Sequence, residues 1–267
     1  MIFLIAIIQG IVEGLTEFLP ISSTGHLILT GHLLGFTDER AKTFEIVIQL
    51  AAILAVVTLY FHRFLRFIPT SNNNKLKGFN GIHGLQTLLI TTLPAVIAGF
   101  ILHDFVKEKL FAPMTVALGL FVGGIILILF ERFVPKAKSK NLDEITKKQA
   151  LGIGVAQIFS IWPGVSRAAS TIVGGSFLKL DRSTAVEYSF FAAVPVMVGA
   201  TTLDLAKNMD VLKASDIPLF IIGLVTSYVT AIIAITYFLK FVKNHSLAIF
   251  GYYRIILAII VVVVLVV

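Results

Sequence analysis

Glu13 and Glu17 stand four residues apart, so on a helix they share one face. Two carboxylates that close repel when both are ionised. Either one keeps a proton or a cation sits between them. Magnesium and calcium suit such all-oxygen settings, which makes Glu13 and Glu17 candidate ligands for a divalent cation. The competing reading is a pair that simply faces water at a membrane edge. Pro20 and the cluster Ser22-Ser23-Thr24-Gly25-His26 follow at once. A hydroxyl there can cap the helix that begins beyond it. The same place is a helix N-terminus, where backbone N–H groups and the helix dipole favour a phosphate. A hydroxyl held beside Glu and His also has the parts of an activated nucleophile.

A second constellation lies far along the chain, in Pro163-Gly164-Val165-Ser166-Arg167-Ala168-Ala169-Ser170-Thr171. It combines a tight turn, one cation and several hydroxyls at the start of a further short helix. Arg167 offers planar, paired donors to phosphate oxygens. Its alternative role is a structural ion pair with Glu13, Glu17 or Glu187. The two roles are compatible if carboxylates hold the arginine until an anion arrives. Glu45 and Glu187 read as structural acids that bond the backbone of the short helices, with Gln49 assisting the first. Arg254 receives no function. No HExxH, GxSxG or Walker-type loop is present.

The elements that position these groups follow from composition. The 267 residues are 57% hydrophobic and only 14% charged, and the mean hydropathy is +0.94. A polar surface cannot cover such a chain, so lipid is the expected solvent. Six runs are long enough to span, at about 44–61, 85–102, 113–130, 185–203, 218–239 and 247–267. Two further apolar stretches, 2–35 and 149–178, are broken by the polar clusters above. Each half is shorter than a span, which predicts two re-entrant helix hairpins. Irregular backbone at membrane depth needs protein or a water-filled cavity to satisfy it. The expected fold is an all-α polytopic membrane protein with six transmembrane helices and two re-entrant hairpins.

The net charge of +7 would raise nucleic-acid binding in a soluble protein. Here the basic residues fall between apolar runs and read as membrane orientation, with no nucleic-acid partner. Loops 62–84, 131–148, 178–184 and 240–246 hold 14 Lys/Arg; loops 36–43, 103–112 and 204–217 hold six. The richer group is expected in the cytoplasm, which places both termini outside. The lack of cysteine excludes disulfide and thiol chemistry. A cleaved signal peptide is not expected, because no basic stretch or small-residue cleavage site accompanies Met1 to Val12.

The halves also echo one another. Pro20 precedes Pro163 by 143 residues, and Glu45 precedes Glu187 by 142. We expect one membrane domain, 1–267, built as an inverted-topology internal repeat, with repeat 1 at about 1–130, a linker at about 131–148 and repeat 2 at about 149–267. Three spans per half invert the second copy, so the two hairpins meet from opposite sides. Four acids (Glu13, Glu17, Glu45, Glu187) and two bases (Arg167, Arg254) remain outside the loops. Each costs about 2.5–3.5 kcal/mol at a helix centre unless paired, ion-bound or wet. Gly123-Gly124 and Gly174-Gly175 read as helix-packing sites.

The stretch Glu13-Gly-Leu-Thr-Glu17-Phe-Leu-Pro-Ile-Ser-Ser-Thr-Gly-His26, together with Pro163-Gly-Val-Ser-Arg167, resembles the undecaprenyl-diphosphatase family, the bacitracin-resistance membrane phosphatases. The likeness extends along the chain and includes Ala193-Val-Pro195. It implies hydrolysis of undecaprenyl pyrophosphate to the monophosphate at the two-hairpin site, in the bacterial cytoplasmic membrane. It also implies dependence on a divalent cation, Mg2+ or Ca2+. The family's essential positions match Glu13, Glu17, Ser23, His26 and Arg167. One departure is Ala168-Ala169, where the family commonly has Ser-Gly. No hydroxyl is available at 168, and Ser170 or Thr171 is expected to replace it.

On this reading Glu17, Ser23, His26 and Arg167 are catalytic. Ser22, Thr24, Gly164, Ser166, Arg167, Ser170 and Thr171 contact phosphate, and Glu13 and Glu17 hold the metal. Ser23 attacks, assisted by Glu17 or His26, and a water nucleophile stays open. The partners are a polyprenyl pyrophosphate and membrane lipids, a homodimer is compatible with the sequence, and the site opens outward. The competing class is a transporter or flippase, since inverted repeats and broken helices also build those.

Overall fold

The computed structural model describes residues 1–68, 70, 78–110, 112–207 and 214–266. Among them the regular structure is helical, with one isolated bridge between Ser139 and Leu180 and irregular connections between the helices. The helices are α1 (Ile2–Thr16), α2 (Ser23–Leu33), α3 (Glu39–Leu59), α4 (Phe61–Leu65), α5 (Gly81–Phe105), α6 (Pro113–Phe133), α7 (Lys147–Ile158), α8 (Arg167–Phe177), α9 (Arg182–Lys207), α10 (Ile217–Asn244) and α11 (Ala248–Leu265).

Six are long and apolar enough to cross a membrane: Glu39–Leu59, Gly81–Leu102, Pro113–Phe133, Arg182–Leu203, Ile217–Asn244 and Ala248–Leu265. They match the six expected runs, and the protein is a multi-pass helical membrane protein. Three begin several residues earlier than hydropathy predicts, at Glu39, Gly81 and Arg182. Asp38 accepts from Ala41 N at 2.8 Å and starts α3 at Glu39. The first turns of α3 and α9 carry the polar residues Glu39, Arg40, Lys42, Arg182 and Ser183, so the helix runs on where apolarity stops. Large apolar side chains cover the outer faces, among them Phe100 (83% exposed) and Tyr237 (68%). That is the surface expected of a chain solvated by lipid.

The broken stretches become two pairs of short helices, α1/α2 and α7/α8. At 1.5 Å per residue the 15 residues of α1 reach about 22 Å, short of a hydrocarbon core of about 30 Å. The order short, short, long, long, long in 1–133 recurs in 147–265, α4 apart. The packing also exchanges between halves: α1 lies on α10 as α7 lies on α5, and α6 pairs with α11. Small residues permit this approach. A Cβ at Gly14 would strike Ser227 O, and one at Gly124 would strike Gly251 O. A core of aromatic side chains from several elements, including Phe18, Phe79, Tyr188, Phe190 and Phe191, fills the space beside the site.

Candidate active site

Both short pairs turn through the same unusual conformation. Ser22 (φ 70°) caps α2 and Ser166 (φ 74°) caps α8. A left-handed φ is uncommon outside glycine, and its cost persists only where the surroundings enforce it. The Ser166 hydroxyl accepts from Ala169 N at 3.2 Å. The Ser22 hydroxyl lies 3.5 Å from Gly25 N, a weaker cap. Gly164 (φ 93°) precedes the second cap, and a Cβ there would strike Val116 O. Only glycine makes that turn without strain.

These turns place three reactive groups together. Glu17 ends α1, Ser23 begins α2 and Arg167 begins α8. Ser23 donates to Glu17 Oε2 at 2.5 Å. Arg167 Nη2 donates to Glu17 Oε1 at 3.1 Å across 150 residues of sequence. All three are largely buried; the Arg167 and Glu17 side chains are 11% and 8% exposed. Arg167 is held further by Ser189, through the carbonyl at 2.9 Å and the hydroxyl at 3.2 Å, and lies over the Phe18 ring.

Glu13 sits one turn before Glu17, fully buried, and neither of its carboxylate oxygens has a hydrogen-bond partner. An orphaned buried carboxylate is costly, and a hard cation would satisfy it. The donor set is therefore suited to such an ion. Among the described residues no group of three or more His, Cys, Asp or Glu is placed to hold a metal ion, so Glu13 and Glu17 would be its only acidic ligands. Remaining positions would fall to the Ser23 hydroxyl, substrate oxygens or water, ligands that magnesium accepts.

His26 is differently employed. Nδ1 lies 2.8 Å from Ser22 O, which can only accept, so Nδ1 carries a proton. Nε2 lies 2.7 Å from the Tyr253 hydroxyl, and the two rings stack. With both nitrogens engaged, the neutral ring has no lone pair free for Ser23. It is Glu17, not His26, that touches the Ser23 hydroxyl, while His26 bonds the Ser22 carbonyl of the first turn.

The other expected phosphate contacts divide. Thr24 is half-buried at the start of α2. Ser170 and Thr171 direct their hydroxyls to the carbonyls of Ser166 and Arg167, and Thr171 also bonds Ser189. Glu45 approaches Gly31 of α2. Glu187 lies close to the Tyr60 side chain.

Three residues escaped the sequence reading. Ser189 orients Arg167, Tyr253 engages His26, and Arg254 reaches both turns: its Nη2 donates to Gly164 O at 2.9 Å and its Nη1 to Pro20 O at 3.4 Å. An arginine within a span was a signal for Arg254. Nothing local marked Ser189 or Tyr253.

A multi-pass helical protein with a buried carboxylate–hydroxyl–guanidinium cluster at the mouths of two short-helix turns is thereby defined. Residues 6–260 match the family described as bacitracin resistance protein BacA, and the chain belongs to that family. It is 52% identical over 257 residues to undecaprenyl-diphosphatase 1 of Bacillus cereus (strain ZK / E33L), covering 96% of each chain. It is 49% identical over 255 residues to the undecaprenyl-diphosphatase of Desulfovibrio desulfuricans, covering 96% of this chain and 95% of that one. The counterpart in Maridesulfovibrio salexigens is 48% identical over 253 residues, covering 95% of each.

Proposed function

We propose that the protein hydrolyses undecaprenyl pyrophosphate to undecaprenyl phosphate and inorganic phosphate, and so recycles a bacterial cell-wall lipid carrier. The observation that carries this reading is the convergence of Glu17, Ser23 and Arg167 from three separate helix ends, at 2.5 and 3.1 Å. Phosphoryl transfer needs charge positioning above all, and these groups supply a cation, an activated hydroxyl and a proton acceptor. A transporter reading accounts for the paired halves but not for a serine bonded to a buried carboxylate.

The pyrophosphate head lies between the turns while the prenyl tail stays in lipid. Arg167 exchanges its bond to Glu17 for phosphate oxygens, and backbone N–H groups at the starts of α2 and α8 add donors. Freed from the arginine, Glu17 takes the proton of Ser23 as its Oγ bonds the terminal phosphorus. The bond from that phosphorus to the bridging oxygen breaks, and undecaprenyl phosphate departs. Water then attacks the phosphoserine, the bond from phosphorus to Oγ breaks, the leaving serine oxygen takes its proton back from Glu17, and inorganic phosphate departs with the protons of the water. Glu13 and Glu17 would hold a divalent cation, which supplies charge neutralisation for the phosphate oxygens.

The two short pairs are re-entrant hairpins of an inverted repeat, and the lysine-rich loops face the cytoplasm. The first hairpin then enters from outside, both termini lie outside and the site opens outward.

The test is phosphate release from purified protein in detergent, given lipid pyrophosphate with and without a chelator. Release that the chelator abolishes is expected. Ser23→Ala should reduce turnover to background while lipid binding survives. Full activity of that variant would exclude the covalent route, and no release by the unaltered protein would overturn the hydrolase reading.

A further inference from the structure

Arg254 of α11 is fully buried in a membrane-spanning helix. A buried guanidinium ordinarily pairs with a carboxylate. Among the described residues Arg254 makes no salt bridge. Its recorded acceptors are four backbone carbonyls: Leu120 at 3.3 Å and Gly119 at 3.0 Å on α6, Pro20 at 3.4 Å in the first turn and Gly164 at 2.9 Å in the second. Pro20 lies three residues before Ser23, and Gly164 three before Arg167. One planar group with five donors in a fixed fork thus joins the main chains of two turns that are otherwise linked through the Arg167–Glu17 side-chain bond. Space for it is reserved. A methyl group at Gly123 would fall on the guanidinium, and one at Gly119 would strike the Pro163 carbonyl.

We propose that Arg254 is a positioning residue whose guanidinium clips the two turns together and thereby sets the placement of Arg167 against Glu17 and Ser23. This rests on the hydrolase reading. Glycines 119 and 123 serve the clip as well as helix packing. The cation acts through geometry: its donors are aimed at carbonyls of both turns and of α6, which makes α6 the anvil against which the turns are held.

The clip predicts a particular kinetic pattern. Arg254→Met lowers kcat about a hundredfold, as misplacement by about 1 Å can do, and leaves KM within about threefold, because substrate contacts remain. Arg254→Lys keeps the charge but lacks the fork, so it restores only part of the rate. Gly123→Ala displaces the guanidinium without removing it and lowers kcat in the same direction. Added to Arg167→Ala, the Arg254→Met change costs nothing further, because the residue it places is gone.

A second readout does not depend on activity. The chain has no cysteine, so spin labels at Leu15→Cys and Phe159→Cys, both exposed, report the separation of the two short-helix pairs. A narrow distance distribution that broadens with Arg254→Met or Gly123→Ala supports the clip, even if the lipid pyrophosphate proves not to be the substrate. An unchanged distribution, full rescue by lysine, or fully additive losses with Arg167→Ala would overturn it. If Arg254→Met fails to fold, Arg254→Lys and Gly123→Ala carry the same comparison.

Discussion

Glu17→Gln separates chemistry from stability at this site. The substitution keeps size and one acceptor oxygen but removes the charge and the proton acceptor. In the protein one carboxylate oxygen receives Ser23 at 2.5 Å and the other receives Arg167 at 3.1 Å. An amide cannot satisfy both, because its nitrogen must face one of two donors. Replacing a charge-assisted bond by a neutral or mismatched one costs about 1–2 kcal/mol here. Arg167 keeps its bonds to Ser189, so it is not left bare. Against a stability of about 5–15 kcal/mol, that loss leaves the chain folded. Loss of a general base costs about 10²–10⁴ in rate, or roughly 3–5 kcal/mol of barrier. The chemical effect therefore wins. Phosphate release should fall about a thousandfold while the melting temperature drops by only a few degrees. Activity within about tenfold of the unaltered protein, below the range for a lost general base, would refute Glu17 as the base.

Glu13→Gln should leave the fold intact and raise the Mg2+ concentration for half-maximal activity by at least about tenfold, the loss that disturbing even the outer partners of a metal's ligands brings; an unchanged titration would remove Glu13 from the cation site. Tyr253→Phe frees His26 Nε2 and should cost less than about tenfold in kcat, since only one hydrogen bond is lost; a loss as large as that of Glu17→Gln would make the histidine the base. Gly164→Ala places a side chain at φ 93° against Val116 O and should lower stability by about 1–3 kcal/mol, read as a lower melting temperature with turnover lost.

Membrane character and the six spans were legible because hydrocarbon selects for uninterrupted apolar runs. Their ends were less so. The start of α3 is decided by the Asp38 cap, and hydropathy does not register a polar helical turn at the lipid boundary. Glu13, Glu17, Ser23 and Arg167 were recognisable as residue types that hydrocarbon does not tolerate without a partner. Their pairing was only partly so: an ion pair for Arg167 could be foreseen, but not that Ser23 and Arg167 would occupy opposite oxygens of one carboxylate. The role of His26 depended on a tyrosine 227 positions away. Arg254 was conspicuous as a charge, yet its acceptors are main-chain carbonyls, which every residue owns and no sequence distinguishes. Ser170 and Thr171 read as ligand contacts because hydroxyls cap helices and bind anions with the same atoms. Only their positions within α8 reveal the carbonyls they bond.

The 234-residue separation between Arg254 and the Pro20 carbonyl it grips has a consequence for biosynthesis. During translation Glu13 and Glu17 emerge long before Arg167, and the fastening arginine is made almost last. The nascent chain must carry its acids through insertion without their final partner. A truncation that spares every proposed catalytic side chain but stops short of the closing helix should thus yield an inserted yet inert polypeptide. Co-expressing the missing helix as a separate peptide would be the natural attempt at restoration.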